Sequence, residues 1–392
     1  MSFGFAPDQE QVEVIKMVRR FVEKEIVPVR AYYDEKEEFP WPVIKKMAEV
    51  GILCMAGPES ISGYPWDNLT RCLVMEELAR GCGGIATTPM ANILASEPVE
   101  IAGTAKQKEW WFSGLCRKGE MGAYCVTEPG AGSDVAGLSS SVRKVGSHYI
   151  LNGTKCFISN GGVASKYVVL ARLENSAGAR GLTFFLVDRH WDGVSPGKKE
   201  KKMGNRASDT SEVIFTDVKV PEEFLLGQEG AGFKIAMNAF NVSRPVIGAM
   251  AAGVSRFAME TARDYARERK QFGTSIANMQ AVQFMLADME MRIEAARLLY
   301  QKAAWMLDEG MEVVKSSAMA KCYGADMAQR VTSDAVQILG GYGYTREYPL
   351  EKAMRDAKLL QIVEGTSQIQ KMIIAREMIN HLIRGRNYIA KD

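Results

Sequence analysis

One carboxylate in the last part of the chain has neighbours that suit proton transfer. Residues 359–370 read Leu-Leu-Gln-Ile-Val-Glu-Gly-Thr-Ser-Gln-Ile-Gln, so Glu364 closes an apolar run and precedes Gly365. The hydroxyl residues that follow, ahead of a periodic apolar run from Ile369, predict a helix start. A carboxylate among apolar groups loses hydration, which raises its pKa and makes it a competent base near neutral pH. Alone, the pattern also fits a solvated glutamate at a helix end.

A glycine-rich loop is the second stretch that could do chemistry. Residues 124–134 read Tyr-Cys-Val-Thr-Glu-Pro-Gly-Ala-Gly-Ser-Asp and follow a predicted strand. Such a loop can direct backbone N–H groups and hydroxyls at an electron-rich ring or a phosphate. It lacks the Gly-Lys-Ser/Thr of a P-loop. By itself it also fits a plain turn.

Hydrophobic periodicity predicts helices, then strands, then helices. Helical patterns occur over 8–30 and at about 41–51, 68–80 and 105–116, and the helical period returns from residue 232. Between them lie short β-branched and aromatic runs, separated by turns such as Asn152-Gly153. These predicted strands cover 121–127, 140–145, 149–159, 166–172, 182–187, 212–215 and 218–220. We therefore predict an α+β fold with an N-terminal α-helical domain (1–119), a middle antiparallel β-barrel or sandwich (120–230) and a C-terminal four-helix bundle (231–392).

Composition and charge argue against several classes of protein. Hydrophobic residues make up 47% and charged residues 24%, which is ordinary for a globular protein. A net charge of +2 directs no strong field toward nucleic acid or anionic membranes. The longest apolar run, residues 246–254, is far shorter than a bilayer span. Residues 1–16 show no secretory signal pattern, so we expect a cytoplasmic protein.

The cysteines and histidines do not form a recognisable metal or disulfide pattern. The 7 cysteines are odd in number and lack Cys-x-x-Cys, which argues against a disulfide framework or a zinc site. The 3 histidines lie far apart, without His-Glu-x-x-His. We therefore predict no metal site.

Taken together, several motifs resemble the acyl-CoA dehydrogenase family. The similarity spans nearly the whole chain and keeps the family's helix–sheet–helix order. Four motifs of the family have counterparts here. The first resembles residues 126–135, and the second resembles residues 337–343 with 348–349, 355–357 and 364–366. The third resembles residues 267–273, and the fourth resembles residues 201–204 with 212–218. Several long motifs in the family's order are far more specific than any one of them.

The resemblance implies non-covalently bound FAD. The residues it assigns along the flavin are Tyr124, Val126, Thr127 and Ser133, with Phe157 and Ser159 against the ring and Thr366 and Gln368 completing that half. For the pyrophosphate and adenine, reached from a neighbouring subunit, it assigns Arg269, Phe272, Gln337 and Gly341, and Gln280 is a further cofactor position. A planar guanidinium can bind a diphosphate in two-pronged fashion, although Arg269 also fits an exposed salt bridge. A shared site implies at least a dimer, and the family is commonly tetrameric.

The resemblance also implies an acyl-CoA thioester substrate, bound by Ser133, Asn241, Arg244 and Gly365. Glu364 is the expected base for the proton α to the thioester carbonyl. Its backbone N–H and a flavin ribityl hydroxyl would stabilise the developing enolate oxygen. The β-hydrogen would leave as hydride to the flavin, giving a trans-2-enoyl-CoA. Some branches place the base just before the channel arginine, where this chain has Ser243. Arg244 also fits an ion pair between helices.

Substrate and direction remain open at this stage. Residues 85–98, expected near the acyl tail, contain no arginine. Because a second carboxylate would need a cation, we expect a neutral short, branched or cyclic acyl group. We expect electrons to pass to an electron-transfer flavoprotein. The first alternative is the same chemistry run as an enoyl-CoA reductase. The second is an acyl-CoA oxidase, which is usually longer at its C-terminus, or a flavin monooxygenase, which would not need Glu364. The third is a DNA-repair-linked relative, which would show an added basic surface.

Overall fold

The computed structural model describes residues 7–62 and 65–383, and the chain forms two compact units. The helical unit comprises residues 1–31, 67–83 and 244–392, and the sheet unit comprises residues 32–66 and 84–243. The division between Ser243 and Arg244 falls inside one long helix. The domain limits predicted at 119/120 and 230/231 stay predictions.

Helices precede and follow a single large sheet, which confirms the predicted α+β order. None of the helices within the described parts of the chain is long and apolar enough to cross a membrane. The helices before the sheet are α1 Gln9–Phe21, α2 Arg30–Lys36, α3 Trp41–Glu49, α4 Glu59–Ser62, α5 Asn68–Gly81, α6 Gly83–Ala102 and α7 Ala105–Phe112. Those after it are α8 Gly232–Glu268, α9 Gln280–Asp308, α10 Val314–Leu339, α11 Leu350–Leu360 and α12 Ser367–Ile383.

The sheet has eight strands and lies in the sheet unit. Its strands are β1 Gly122–Cys125, β2 Ser141–Val145, β3 His148–Ser159, β4 Lys166–Leu173, β5 Leu182–Asp188, β6 Val194–Lys199, β7 Thr210–Pro221 and β8 Leu225–Leu226. They pair in the order β6-β7-β3-β2-β4-β5-β8. Pairing is antiparallel except that β4 pairs in parallel with β1 and β2. The two short runs predicted at 212–215 and 218–220 are one bent strand, β7, and β6 has no counterpart in the prediction.

A continuous apolar core holds the sheet unit together. Trp111 and Phe112 of α7 pack in one cluster with Leu170 of β4 and Phe184 of β5, all fully buried. Each such side chain contributes about 1.5–3 kcal/mol when it is removed from water. This core fixes β1 and the loop that follows it, because Val126 and Ala131 belong to the same cluster.

Close helix crossings shape the helical unit. A Cβ added to Gly324 of α10 would lie 3.1 Å from the Cα of Gly248 in α8. A Cβ at Gly253 would lie 2.2 Å from the carbonyl oxygen of Glu76 in α5. Larger residues at these crossings would force the helices apart, so the glycines let α8 pack directly on α10 and α5.

One disulfide contradicts the expectation drawn from cysteine spacing. Cys54 and Cys116 form a bond with their Cα atoms 5.1 Å apart, although they are 62 residues apart in the chain. The odd count and missing motif were misleading because packing of the sheet unit, rather than local spacing, brings the two residues together. The remaining cysteines of the described chain are buried and free.

Candidate active site

The predicted helix break around Glu364 is present between α11 and α12. Glu364 and Gly365 both have left-handed backbone, with φ of 53° and 87°. A non-glycine residue in this region costs about 1–3 kcal/mol, so surrounding contacts must impose it. The Glu364 residue is only 9% exposed. The break therefore presents a buried carboxylate on a constrained turn.

Two side chains fix the carbonyls of this turn. Lys321 of α10, fully buried, donates from Nζ to the Gly365 carbonyl oxygen at 2.8 Å. Gln370 of α12 donates from Nε2 to the carbonyl oxygens of Glu364 and Gly365, both at 3.0 Å. Charged donors make stronger hydrogen bonds than neutral ones. These bonds offset the strain of the left-handed backbone.

Asp326 of α10 ties both ends of the turn to the same helix. Its Oδ1 accepts hydrogen bonds from Gln361 Nε2 and Ser367 Oγ, each at 2.8 Å, and its Oδ2 lies 3.1 Å from Lys371 Nζ. Burial opposes ionisation of Asp326, but these three partners outweigh it and lower its pKa. The turn is thus attached to α10 at its start, its middle and its end.

The turn carries a distinct electrostatic arrangement. Burial lowers the pKa of Lys321 to about 8, against the opposing attraction of Glu364. Arg244 of α8, also buried, acts on Lys321 in the same direction as burial. The structure therefore brings Glu364, Gly365 and Arg244, three residues predicted for the site, into one electrostatic neighbourhood.

In the sheet unit, a buried lysine supports the glycine-rich loop. Lys155 of β3 donates from Nζ to the carbonyl oxygens of Val126 at 3.1 Å and Leu170 at 2.7 Å. Its third partner is Glu128 Oε1 at 2.7 Å. All three ammonium hydrogens thus have acceptors, and the start of the loop is fixed to β3 and β4.

Glu128 completes this support from within the loop. It accepts hydrogen bonds from the backbone N–H groups of Ser139 and Ser140, at 2.6 and 2.9 Å. Burial alone would raise the pKa of Glu128, but Lys155 and the two serines lower it to about 2. Burial also lowers the pKa of Lys155. We conclude that Glu128 is a carboxylate throughout the neutral range and pairs with a buried ammonium.

The loop and its neighbouring strand present an aromatic and hydroxyl surface. The Cys156 N–H donates to the Thr127 carbonyl oxygen at 3.0 Å, which aligns β3 with the loop. The next residue, Phe157, has φ of 56° and is 64% exposed. Ser159 follows on the same strand, and Ser133 is exposed on the loop. An exposed ring on a strained backbone beside hydroxyl groups is the kind of surface that a planar ligand could cover.

Tyr124 connects this surface to the first part of α8. Its ring packs against Phe184 of β5 and Phe240 of α8, with centroids 5.7 and 5.6 Å apart. Asn241, predicted for substrate binding, is the next residue of that helix. These contacts place Tyr124 against the residue that precedes Asn241, and Val126 belongs to the core cluster against which Tyr124 packs.

A separate group of predicted residues is exposed in the helical unit. Arg269 follows α8, and its guanidinium carbon lies 5.8 Å from the Tyr342 ring centroid, beside Gly341. Phe272, with φ of 52°, is 96% exposed. Gln280 and Gln337 are also exposed in this unit, whereas half-buried Thr366 and exposed Gln368 lie just after Glu364, at the start of α12. Arg269 therefore contacts Tyr342, the residue that follows Gly341.

Comparisons with known proteins agree along the chain. Sequence profiles of the acyl-CoA dehydrogenase N-terminal, middle and C-terminal domains match residues 8–119, 123–218 and 230–379. The short-chain specific acyl-CoA dehydrogenase of Clostridium acetobutylicum is 40% identical over 96% of this chain and 99% of its own length.

The chain belongs to the acyl-CoA dehydrogenase family.

Solved structures of similar proteins extend the match to the fold. The butyryl-CoA dehydrogenase of Megasphaera elsdenii has a TM-score of 0.93 at 39% identity, covering 97% of this chain and 100% of that one. A chain from structural work on the electron transferring flavoprotein of Acidaminococcus fermentans has a TM-score of 0.94 at 40% identity, with the same coverage. This acyl-CoA dehydrogenase is therefore an oxidoreductase with the family's complete three-part architecture.

The supporting residues of this acyl-CoA dehydrogenase belong to none of the motifs that predict its site. No role was predicted for Lys321, Gln370, Asp326 or Lys155, and Glu128 was predicted only as part of the loop. The available signal was a lysine at an inward position. Lys321 follows Ala318 and Ala320 on the buried face of α10, and Lys155 precedes the buried Cys156 on β3. A lysine is rarely fully buried unless it is paired.

Proposed function

We propose that this acyl-CoA dehydrogenase removes the α-proton of an acyl-CoA thioester with Glu364, with FAD as its cofactor. The observation that carries the proposal is the buried Glu364 carboxylate on a left-handed turn whose carbonyls are fixed from two helices. A base must be held in one geometry while the substrate approaches, because misplacement by about 1 Å can cost a factor of a hundred in rate.

FAD is proposed because the residues present fit a flavin. Exposed Phe157 beside Thr127 suits the apolar face and polar edge of a tricyclic ring. We assign Tyr124, Val126, Ser133, Ser159, Thr366 and Gln368 to the same cofactor. When bound, the flavin accepts the hydride that leaves the substrate's β-carbon. Exposed Arg269 suits the diphosphate, and we assign Phe272, Gln280, Gln337 and Gly341 to the adenine half, contributed by a second copy of the chain.

The chain's own groups would then act as follows. Asn241, Arg244 and Ser133 bind and orient the CoA thioester, and the Glu364 backbone N–H donates to the thioester carbonyl as it gains negative charge. The Glu364 carboxylate takes the α-proton. The electrons of that C–H bond form the Cα–Cβ double bond as hydride leaves Cβ, so the product is the trans-2-enoyl-CoA. The burial of Glu364 limits the access of water to the base.

Substrate and partners follow the same proposal. Residues 85–98 lie entirely within α6 and supply no arginine for a second carboxylate, so we propose a neutral, short, branched or cyclic acyl group. We propose an electron-transfer flavoprotein as the electron acceptor and a tetramer as the assembly. The cytoplasmic location stays a prediction.

The test uses the flavin as a reporter. The purified FAD-loaded protein is mixed anaerobically with a series of acyl-CoA thioesters, starting from butyryl-CoA, while the flavin absorbance is followed. We expect bleaching by the wild type. The Glu364→Gln variant should retain FAD and lose bleaching by at least a thousandfold, because an amide cannot accept the α-proton. Normal bleaching by that variant would exclude Glu364 as the base.

Direction is tested in the same preparation. Oxidation of acyl-CoA in the presence of an electron-transfer flavoprotein supports the dehydrogenase, and turnover only with enoyl-CoA and a reduced carrier supports the reductase. Rapid reoxidation of the bleached flavin by air would instead indicate an oxidase or monooxygenase.

A further inference from the structure

We propose that Lys321 is a positioning residue for Glu364: its ammonium holds the Gly365 carbonyl and keeps a positive charge near the proposed base across the acid and neutral pH range. This inference rests on the proposed function and adds a residue to it. Lys321 lies within α10 and does not touch the substrate in this proposal. It acts through the turn that carries Glu364.

Burial makes Lys321 an unusual choice for a purely structural residue. Its side chain is fully buried, and its Nζ donates to a backbone carbonyl oxygen at 2.8 Å. Moving an ammonium out of water costs several kcal/mol in general, and a single neutral acceptor does not offset this. A buried lysine therefore needs a nearby opposite charge. The carboxylate whose charge acts most strongly on Lys321 is that of Glu364.

The neutral donor beside Lys321 shows what its charge adds. Gln370 Nε2 donates to the same Gly365 carbonyl oxygen, and to that of Glu364. Hydrogen bonding of the turn can therefore be achieved by an uncharged amide. What Lys321 alone contributes among these two donors is a positive charge. A positive charge near a carboxylate favours the ionised form, which is the form that can accept a proton.

Other charged groups face Lys321 and limit the size of the effect. Arg244 of α8 adds positive charge near Lys321, whereas Asp326 of α10 adds negative charge. Lys371 of α12 pairs with Asp326 at 3.1 Å and partly neutralises it. Because Arg244 remains when Lys321 loses its charge, we expect a partial change in the ionisation of Glu364.

Four variants separate charge from hydrogen bonding in the FAD-loaded full chain. Lys321→Gln removes the charge and keeps a donor, Lys321→Met removes both, and Lys321→Arg keeps the charge. Gln370→Leu removes the neutral donor alone. The readout is the rate of flavin bleaching by butyryl-CoA in stopped flow, measured across the acid and neutral pH range, with FAD content and thermal midpoint recorded for each variant.

The expected pattern has two parts. Lys321→Gln and Lys321→Met should move the acid limb of the rate–pH profile upward by about one pH unit, whereas Lys321→Arg should keep it near the wild-type position. Gln370→Leu should lower the plateau rate and leave the acid limb in place, because it removes no charge. If Lys321→Met does not retain FAD, the effect of the charge is judged from the acid limbs of Lys321→Gln and Lys321→Arg.

The outcomes distinguish this inference from the proposed function. Suppose that butyryl-CoA bleaches the wild-type flavin and that the acid limb of the Lys321→Gln rate–pH profile coincides with that of the wild type. The positioning role of Lys321 is then wrong and the proposed function stands. If Gln370→Leu moves the limb as far as Lys321→Gln does, turn geometry rather than charge is responsible, and the inference is also wrong. If no thioester bleaches the wild type, or Glu364→Gln bleaches normally, the proposed function fails and this inference fails with it.

Discussion

The glycine-rich loop and the Glu364 turn, the two segments predicted to carry the chemistry, are each held by a buried lysine, but the two lysines have different hydrogen-bond acceptors. Under the glycine-rich loop, Lys155 has two backbone carbonyls and the carboxylate of Glu128 as acceptors. Under the Glu364 turn, Lys321 donates to the Gly365 carbonyl, and the carboxylate that acts most strongly on it is Glu364 itself. Lys155 has a carboxylate partner 2.7 Å away that two backbone N–H groups also hold in place. The other lysine has its charge directed at the proposed base.

This difference teaches how one residue type can serve structure or function. A buried ion pair with complete hydrogen bonding fixes a loop, because removing either partner leaves an uncompensated charge. A buried ammonium without such a dedicated partner keeps an electric field that acts on a neighbouring titratable group. The comparison therefore predicts a large stability effect in the first region and a kinetic effect in the second.

The largest expected effect is on stability. Lys155→Met should lower the free energy of unfolding by about 3–5 kcal/mol, because Glu128 is left buried without its counter-charge. Lys321→Met should lower it by about 1–3 kcal/mol, since Gln370 still donates to the same carbonyl. Urea unfolding of the FAD-loaded proteins at equal concentration measures both. Equal losses would contradict the distinction between the two lysines.

The next largest effect is the contribution of the Glu128–Lys155 ion pair to stability, which acid unfolding should measure. The pKa of Glu128 is about 2 in the folded protein and 4.5 in its ordinary state. A lowered folded-state pKa gives stability that is complete above pH 4.5 and is lost as the pH falls toward 2. The contribution is roughly 2–3 kcal/mol. The difference in free energy of unfolding between wild type and Glu128→Gln should therefore become smaller as the pH falls through this window. A difference that does not change with pH would contradict the role of this ion pair.

A smaller effect is expected at the Glu364 turn. Gly365→Ala places a Cβ 2.7 Å from Gln370 Nε2 on a backbone with φ of 87°. We expect a loss of about 1–2 kcal/mol in stability and about a tenfold slower bleaching by acyl-CoA.

The matched control for that variant is Gly51→Ala. Gly51 has φ of 77° and open space around its Cβ position, so it carries the backbone strain without the clash. It should lose some stability and keep the wild-type bleaching rate. Equal kinetic losses in both variants would show that strain anywhere in the chain, rather than the shape of the Glu364 turn, slows the reaction.

No measurable change is expected from an exposed lysine. Lys144 pairs with Glu222 at 2.7 Å, with both side chains about half exposed. Exposed ion pairs are screened by water and contribute little. Lys144→Ala should therefore leave the urea midpoint and the bleaching rate at wild-type values. A shift comparable to that of Lys155→Met would show that burial does not set the size of these effects.

The order of elements and the helix break at Glu364 followed from local patterns. Periodic apolar residues predict helices before and after the sheet, and the Gly365-Thr366 pair after an apolar run predicts the break. Helix α6 was missed because Pro89 and Pro98 lie inside it, and proline ordinarily ends a helix. Strand β6 was missed because its residues are polar and partly exposed.

The sequence by itself determined the family, the helix–sheet–helix order and the carboxylate expected to act as base, since these depend on motifs and on periods of a few residues. Only the tertiary structure decided which lysines are buried and which groups they meet. Lys321 and Gly365 are 44 residues apart, Lys155 and Val126 are 29 apart, and Cys54 and Cys116 are 62 apart. Such contacts are set by how helices and strands pack, and no local pattern in the chain encodes them.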